Sequence, residues 1–216
     1  MKKPQKTSED PLFRISRAIR KLHSLWLTWT YPFASIGRGF SAHPTCDLRR
    51  PVAGYMKIGN GVLLERNVRI DVPLVPAKEE LVILIGDGCV LGQRTTVLGI
   101  NRIQIENNCI FAASIVITDH NHEFGDITIP IGDQGGSAGG TVRIEEGCWI
   151  GFGAAIVSSQ GELVIGKNSV VGANSLVTRS IPPYSVVTGN PARVVKHFDP
   201  TTGQWVLGSG PAVSKL

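Results

Sequence analysis

The sequence predicts a mainly β chain wound as a parallel β-helix of triangular cross-section, preceded by an amphipathic helix and interrupted by one long protruding loop. Three observations carry this. Aliphatic residues return every six positions from residue 58 onward, a period that fits neither a helix nor an alternating strand and matches the hexapeptide unit of a β-helix. The position four places after each aliphatic is small or β-branched, as the second inward site of a narrow prism requires. The repeat then breaks at 120–143 for a polar, glycine-rich insertion.

The leader, residues 1–35, carries the charge. Seven Lys and Arg and two Asp and Glu fall within residues 1–21, and the other 15 bases and 15 acids cancel, so the formal charge of +5 belongs to the leader. A neutral body is not the basic surface of a nucleic-acid-binding domain. Attraction to a polyanion or a membrane is placed on the leader instead. Asp10 as N-cap and Pro11 at the first helical position open a helix. Leu12, Ile15, Ile19, Leu22, Trp26 and Trp29 form its apolar stripe, and Pro32 ends it. Packing of that stripe on the body or a neighbouring subunit is the preferred reading. The other is an interfacial helix on anionic lipid, which the mixture of bases and tryptophans also fits. No uninterrupted apolar run marks a signal peptide or a membrane span.

The prism follows, over 36–198. Ile58, Leu64 and Ile70 form the first set of hexads; Ile85, Leu91 and Val97 the second; Ile105, Phe111 and Ile117 the third; Ile144, Ile150 and Ile156 the fourth; Ile165, Val171 and Val177 the fifth, with Pro183 on the next beat. Three hexads make one coil, and coils stack as in any solenoid. The second inward positions are Val62, Val68, Cys89, Thr95, Cys109, Ile115, Cys148, Ala154, Ser169 and Ser175. Cys46, Cys89, Cys109 and Cys148 show no metal or disulfide spacing, so the three in the repeat are expected to be compact core residues in a reducing cytoplasm. Glycines together with Asn60, Asn67, Asn108, Asn168 and Asn174 are expected to supply positive φ at turns. Register breaks fall at 71–84, 98–104, 120–143 and 157–164. Residues 199–216 form a C-terminal tail.

Function is expected at the long insertion, because loops on a rigid scaffold usually carry it. It opens with Thr118-Asp119-His120-Asn121-His122. The histidines have three readings: turn caps, a general base, or metal ligands for which no third ligand is evident. Asp119 either orients an imidazole or caps the turn.

These hexads, the Thr-Asp-His-Asn-His segment, the loop Pro130-Ile131-Gly132-Asp133-Gln134-Gly135, the step Cys148-Trp149-Ile150-Gly151 and the Gly189-Asn190-Pro191-Ala192 ending resemble the hexapeptide-repeat acyltransferases with a left-handed parallel β-helix. The maltose, nodulation and polysaccharide O-acetyltransferases are the most similar branch. The resemblance implies acetyl-CoA as donor, no metal, a saccharide hydroxyl as acceptor, and a homotrimer with sites between subunits. It implies direct transfer with a histidine base five positions after the last aliphatic of a coil, which is His122; His120 is the alternative. It implies acceptor contacts at Trp149, Gln134 and Asn121. Cofactor contacts are expected at Gly153, Ala154, Ala173 and Thr178, with Arg179, Arg193 and Lys196 near the phosphates. N-acetylation of an amino sugar, a metal enzyme like the γ-carbonic anhydrases, and a non-catalytic scaffold remain the other classes. A cytoplasmic protein is expected, with membrane contact through the leader as the variant.

Overall fold

The computed structural model describes residues 11–74 and 80–208. The expected N-cap Asp10, the leader bases Lys2, Lys3 and Lys6, the Leu12 side chain, and Pro76, Lys78 and Glu79 of the first break lie outside the described residues. Helix α1 spans Pro11–Thr30. Short strands then build the three faces of a prism, with sheets of six, nine and six strands among the described residues, parallel throughout except for the last two strands of the second sheet. Each strand pairs with the one a full coil later, so Ile85 sits over Ile58 and below Ile105. The aliphatic column and the second inward column fill the interior: Leu64, Ile70, Leu91, Ile117 and Ile150 are fully buried, and so are Val62, Cys89, Thr95, Cys109 and Ser169. The buried thiols need partners, and each has one in the following coil. Cys89 donates to the Glu106 carbonyl (3.0 Å), Cys109 to that of Glu145 (3.2 Å) and Cys148 to that of Gly166 (3.2 Å).

The prism starts one coil earlier than the hexads at 58. Ser35–Ile36, Ser41–Ala42 and Asp47–Leu48 form strands beneath the corresponding strands of the next coil. Cys46 thereby joins the same pattern and donates to the Glu65 carbonyl at 3.1 Å. The beat expected at Pro183 falls instead on Ile181, which bridges to Ile165 and is buried while Pro183 is exposed.

The turn chemistry divides differently from the expectation. Left-handed backbone recurs three residues after an inward aliphatic, at Gly61, Asn67, Gly88, Arg94, Asn108, Ser114, Gly147, Gly153, Asn168, Asn174 and Tyr184. Asn60 is not among them. Its amide N–H donates to Asp87 (2.7 Å), and its own Oδ1 accepts from the Arg38 N–H (2.9 Å). The Asp87 N–H in turn donates to Asn107 at 2.8 Å, so one edge of the prism carries a coil-to-coil chain of side-chain caps. The glycines directly after the aliphatics serve close approach: a Cβ on Gly92 would overlap the Ala112 carbonyl of the next coil.

Two edges of the prism are closed by these tight turns. The third edge, where the chain leaves the third face for the first, holds every long connection. Among the described residues, a 3-10 helix (Arg50–Tyr55), residues 72–74 and 80–82, the 99–101 turn, the 119–138 insertion and the 178–180 turn all lie there. At the C-terminal end the chain reverses. Ser185–Thr188 joins the second sheet in parallel, and Arg193–Asp199 and Gln204–Leu207 then extend it in antiparallel fashion, which gives structure to part of the expected tail.

Helix α1 lies against the edge strand Ser41–Ala42. The Ser24 hydroxyl accepts the Ala42 N–H at 2.9 Å, and Leu27 is buried beneath. A free strand edge is a pairing hazard, and the helix covers this one. The contact uses Ser24 and Leu27; Ile15, Ile19, Leu22, Trp26 and Trp29 of the predicted stripe face outward.

Candidate active site

The insertion leaves the third face after Val116–Thr118 and returns as the first-face strand Gly139–Ile144. Asp119 is the hinge of its root and is fully buried. A buried carboxylate needs donors on both oxygens, and four surround it. Oδ1 accepts from the Ile100 N–H (2.9 Å) and stands 3.1 Å from His120 Nδ1. Oδ2 accepts from the N–H groups of Asn101 and Arg102, both at 2.9 Å. The Asp119 carbonyl accepts from Gly140 N–H at 2.7 Å, which closes the root from the other side. Asn101 braces the same point through the Ala138 and Gly140 carbonyls. The turn-capping and ring-orienting readings of Asp119 are thus satisfied together.

His120 is mostly enclosed, with its side chain 20 % exposed, and Thr118 Oγ1 lies 3.2 Å from Nδ1. An Nδ1–H directed at Asp119 leaves Nε2 as the basic nitrogen. His122 is exposed on the opening strand of the loop, in an antiparallel bridge with Gly136. Its ring makes no hydrogen bond or ion pair among the described residues. Asn121 is exposed, with its backbone tied to Ser137. Gln134 spends its amide within the loop: Oε1 accepts the Asp126 N–H (3.0 Å), and Nε2 donates to the carbonyls of Asp126 (2.7 Å) and Ile129 (3.2 Å). Among the described residues no three His, Cys, Asp or Glu side chains gather in an arrangement that would hold a metal ion.

Trp149 points outward from the middle of the second face, between Ile110 and Val170, and is half exposed. It therefore stands on a flat face, not at a prism corner. Ala154 points inward and is buried, so its methyl group faces the core; Ala173 is exposed and Gly153 half-buried. Thr178, Arg179 and Arg193 come together around a cavity of about 240 Å³ at the C-terminal end of the prism. Lys196 lies on the neighbouring strand and does not line it. The Thr178–Arg179 turn occupies the same edge as Asp119, two coils on, or roughly 10 Å along the axis at the spacing of hydrogen-bonded strands. Sequence reasoning missed Asn101, whose backbone and side chain both hold the loop root. Its signal was an Asn inside a register break directly before a hexad strand.

Known proteins share the repeat and the fold. A family model described as the hexapeptide repeat of succinyl-transferase matches residues 82–119 and 141–179. A probable acetyltransferase of Mycobacterium tuberculosis is 32 % identical over 163 residues, covering 75 % of this chain and 49 % of that protein. A putative lipopolysaccharide biosynthesis O-acetyl transferase of Escherichia coli is 28 % identical over 130 residues, covering 57 % of this chain and 65 % of that protein. The chain thus spans about half the length of the first relative and somewhat under two thirds of the second. Among solved structures, the N-acyltransferase AntD of Bacillus cereus, in complex with dTDP and coenzyme A, superposes with a TM-score of 0.63 at 20 % identity, over 84 % of this chain and 88 % of that one. That likeness is one of fold. With its six-residue period and its three parallel faces, the chain carries the hexapeptide repeat and is similar to acetyltransferases that share it.

Proposed function

We propose that the protein is an acetyl-CoA-dependent O-acetyltransferase acting on a saccharide hydroxyl, in the assembly of a surface polysaccharide or its precursor. The observation that carries this is the insertion root: two histidines, one held by a buried carboxylate, on the prism edge that also carries the Arg179–Arg193 cavity. The relatives named for acetyl transfer support the class. The cavity offers guanidinium groups suited to phosphate, and the outward-facing Trp149 offers a flat apolar surface to a sugar ring.

In this reading His122, exposed and with its ring unpaired among the described residues, takes the proton from the acceptor hydroxyl. The oxygen attacks the thioester carbonyl, the new C–O bond forms, and the C–S bond breaks. The proton then passes from imidazole to the departing CoA sulfur. Backbone N–H groups stabilise the oxyanion between the two steps. A trimer, with the site shared between neighbouring prisms, gives the exposed His122 ring its second wall. The Asp119–His120 contact favours a second assignment, in which His120 is the base and His122 contacts the acceptor. Removal of the true base lowers turnover by about 10²–10⁴-fold.

The test follows thiol release from acetyl-CoA with candidate glycans, using wild type, His122→Ala and His120→Ala. Full acceptor-dependent turnover in His122→Ala moves the base to His120. Full turnover in both variants overturns histidine catalysis. Mild alkali then separates ester from amide products, and an alkali-stable product replaces O-acetylation by N-acetylation. Calorimetry that finds no acyl-CoA binding would leave a scaffold in place of an enzyme.

A further inference from the structure

Helix α1 meets the prism with one face and turns the opposite face outward. The inward face is fixed by specific bonds: Ser24 holds the Ala42 N–H, His23 Nδ1 lies 3.4 Å from the Ala42 carbonyl, and Leu27 is buried. The helix cannot rotate its apolar stripe inward without breaking them. Ile15, Ile19, Leu22, Trp26 and Trp29 therefore form an outward ridge, each more than half exposed and Trp29 at 85 %. An exposed ridge of this size on a folded chain marks a binding surface.

A second observation lies directly beside it. Between α1 and the first two coils runs a groove of about 800 Å³ whose walls include Arg17, Arg20, Lys21, Arg38, His43 and Arg66. Among the described residues no Asp or Glu lines it. The nearby acid Glu65 is paired with Arg20 at 3.1 Å. His43 registers the field: burial first, then Arg20 and Arg66, hold its imidazole below its ordinary value. Leu25 lines the groove and is itself half exposed, so ridge and groove are continuous.

We infer that this face, ridge and groove together, docks on an anionic lipid bilayer, with the ridge in the interface and the groove against the phosphate headgroups. Charge chooses the occupant. Two copies apposed through this face would bring their bases together, which like-charge repulsion opposes. An anionic bilayer supplies both the apolar layer and the negative charge that the face lacks. No described helix is long and apolar enough to cross a membrane, so α1 lies in the plane of the surface. The inference stands independently of the transfer reaction.

The test is cosedimentation of the full chain with vesicles of phosphatidylcholine alone or mixed with phosphatidylglycerol. Binding is expected to the mixed vesicles and to weaken with salt. The double variant Trp26→Ser/Trp29→Ser should lower the partition coefficient by about tenfold or more, because both rings leave the interface. Arg38→Ala/Arg66→Ala should lower it about 30-fold, the change that ~1 kcal/mol per base near an anionic surface gives. Trp26 meets the Tyr31 ring edge-on at 5.5 Å, so Trp29→Ser alone accompanies the double variant; the melting midpoints of that single variant and of the arginine variant should not move. Equal binding to both vesicle types, or unchanged binding by the tryptophan variant, overturns the inference. So does a tryptophan variant that changes the sedimentation mass without lipid, since the ridge would then be an interface between copies.

Discussion

Replacing Asp119 by Asn tests the reading of the insertion root most directly. The carboxylate is buried and has four donors: the N–H groups of Ile100, Asn101 and Arg102 at 2.9 Å, and His120 Nδ1 at 3.1 Å. Each oxygen takes two of them. An amide keeps one oxygen and turns an NH₂ toward the other pair: on the Oδ2 side it opposes two N–H groups, and on the Oδ1 side it opposes the Ile100 N–H and obliges His120 to change tautomer, so either orientation sets donor against donor. Hydrogen bonds to a charged group contribute about 1.5–3 kcal/mol each. Relief of a buried charge returns part of the loss, and a net destabilisation of about 3 kcal/mol follows. Denaturant unfolding of Asp119→Asn against wild type measures it as a shift in midpoint at constant slope. The loop root should loosen with it, so acceptor-dependent thiol release should fall as well. A stability within about 0.5 kcal/mol of wild type, the ordinary range for a surface change, would refute the four-donor account.

The stacking rules give further expectations. Gly92→Ala places a methyl group on the Ala112 backbone and should destabilise by about 3 kcal/mol. Gly61→Ala, with open space around it but a φ of +64°, should lose only about 1 kcal/mol; equal effects at the two sites would contradict the division between approach and turn glycines. Asp87 is held below its ordinary value by the Asn60 N–H and then the Asn60 side-chain amide. Its folded-state value being depressed, its contribution is full above the unfolded value and is lost as pH falls through the folded one. Asp87→Asn should therefore flatten the acid limb of a stability–pH profile, and an unchanged limb would count against the cap chain. Cys148 and Cys89 on either side, together with burial, push the Cys109 thiol up. Alkylation of Cys89, Cys109 and Cys148 should wait for unfolding, and rapid labelling of Cys109 in the native protein would contradict the interior placement.

The prism was legible because its physics repeats. A narrow interior admits one large side chain per face and one small one beside it, and that constraint writes itself into the chain every six residues. The first coil was harder to read. Ile36, Ala42 and Leu48 keep the beat, but Ala42 is small where the pattern wants a large aliphatic, and the 3-10 helix then delays the next beat to Ile58. The turns misled through chemistry that two residue types share. Asn60 looks like a left-handed turn residue and instead accepts and donates across coils, which only the stacking of coils reveals. The leader stripe was read correctly as a pattern, but of its expected contacts the one with the body of its own chain is not made. Periodicity locates an apolar face but cannot say which way it turns, and here Ser24 decides. In the site, the Asp119–His120 contact was anticipated from adjacency. The three backbone donors on Asp119 come from a segment 17–19 residues earlier, and only the winding of the chain brings them there. Gln134 was expected to face a ligand, but three contacts inside its own loop hold it.

The single irregular edge has a consequence for how such a chain can change length. At the two tight edges, one added residue would shift every later side chain out of phase and disrupt all the coils that follow. At the third edge the chain can lengthen by a turn, a 3-10 helix or a loop of twenty residues while the coil above resumes in phase. New recognition elements can therefore accumulate in one vertical line, stacked above one another, where residues from separate coils become neighbours without any alteration of the scaffold between them.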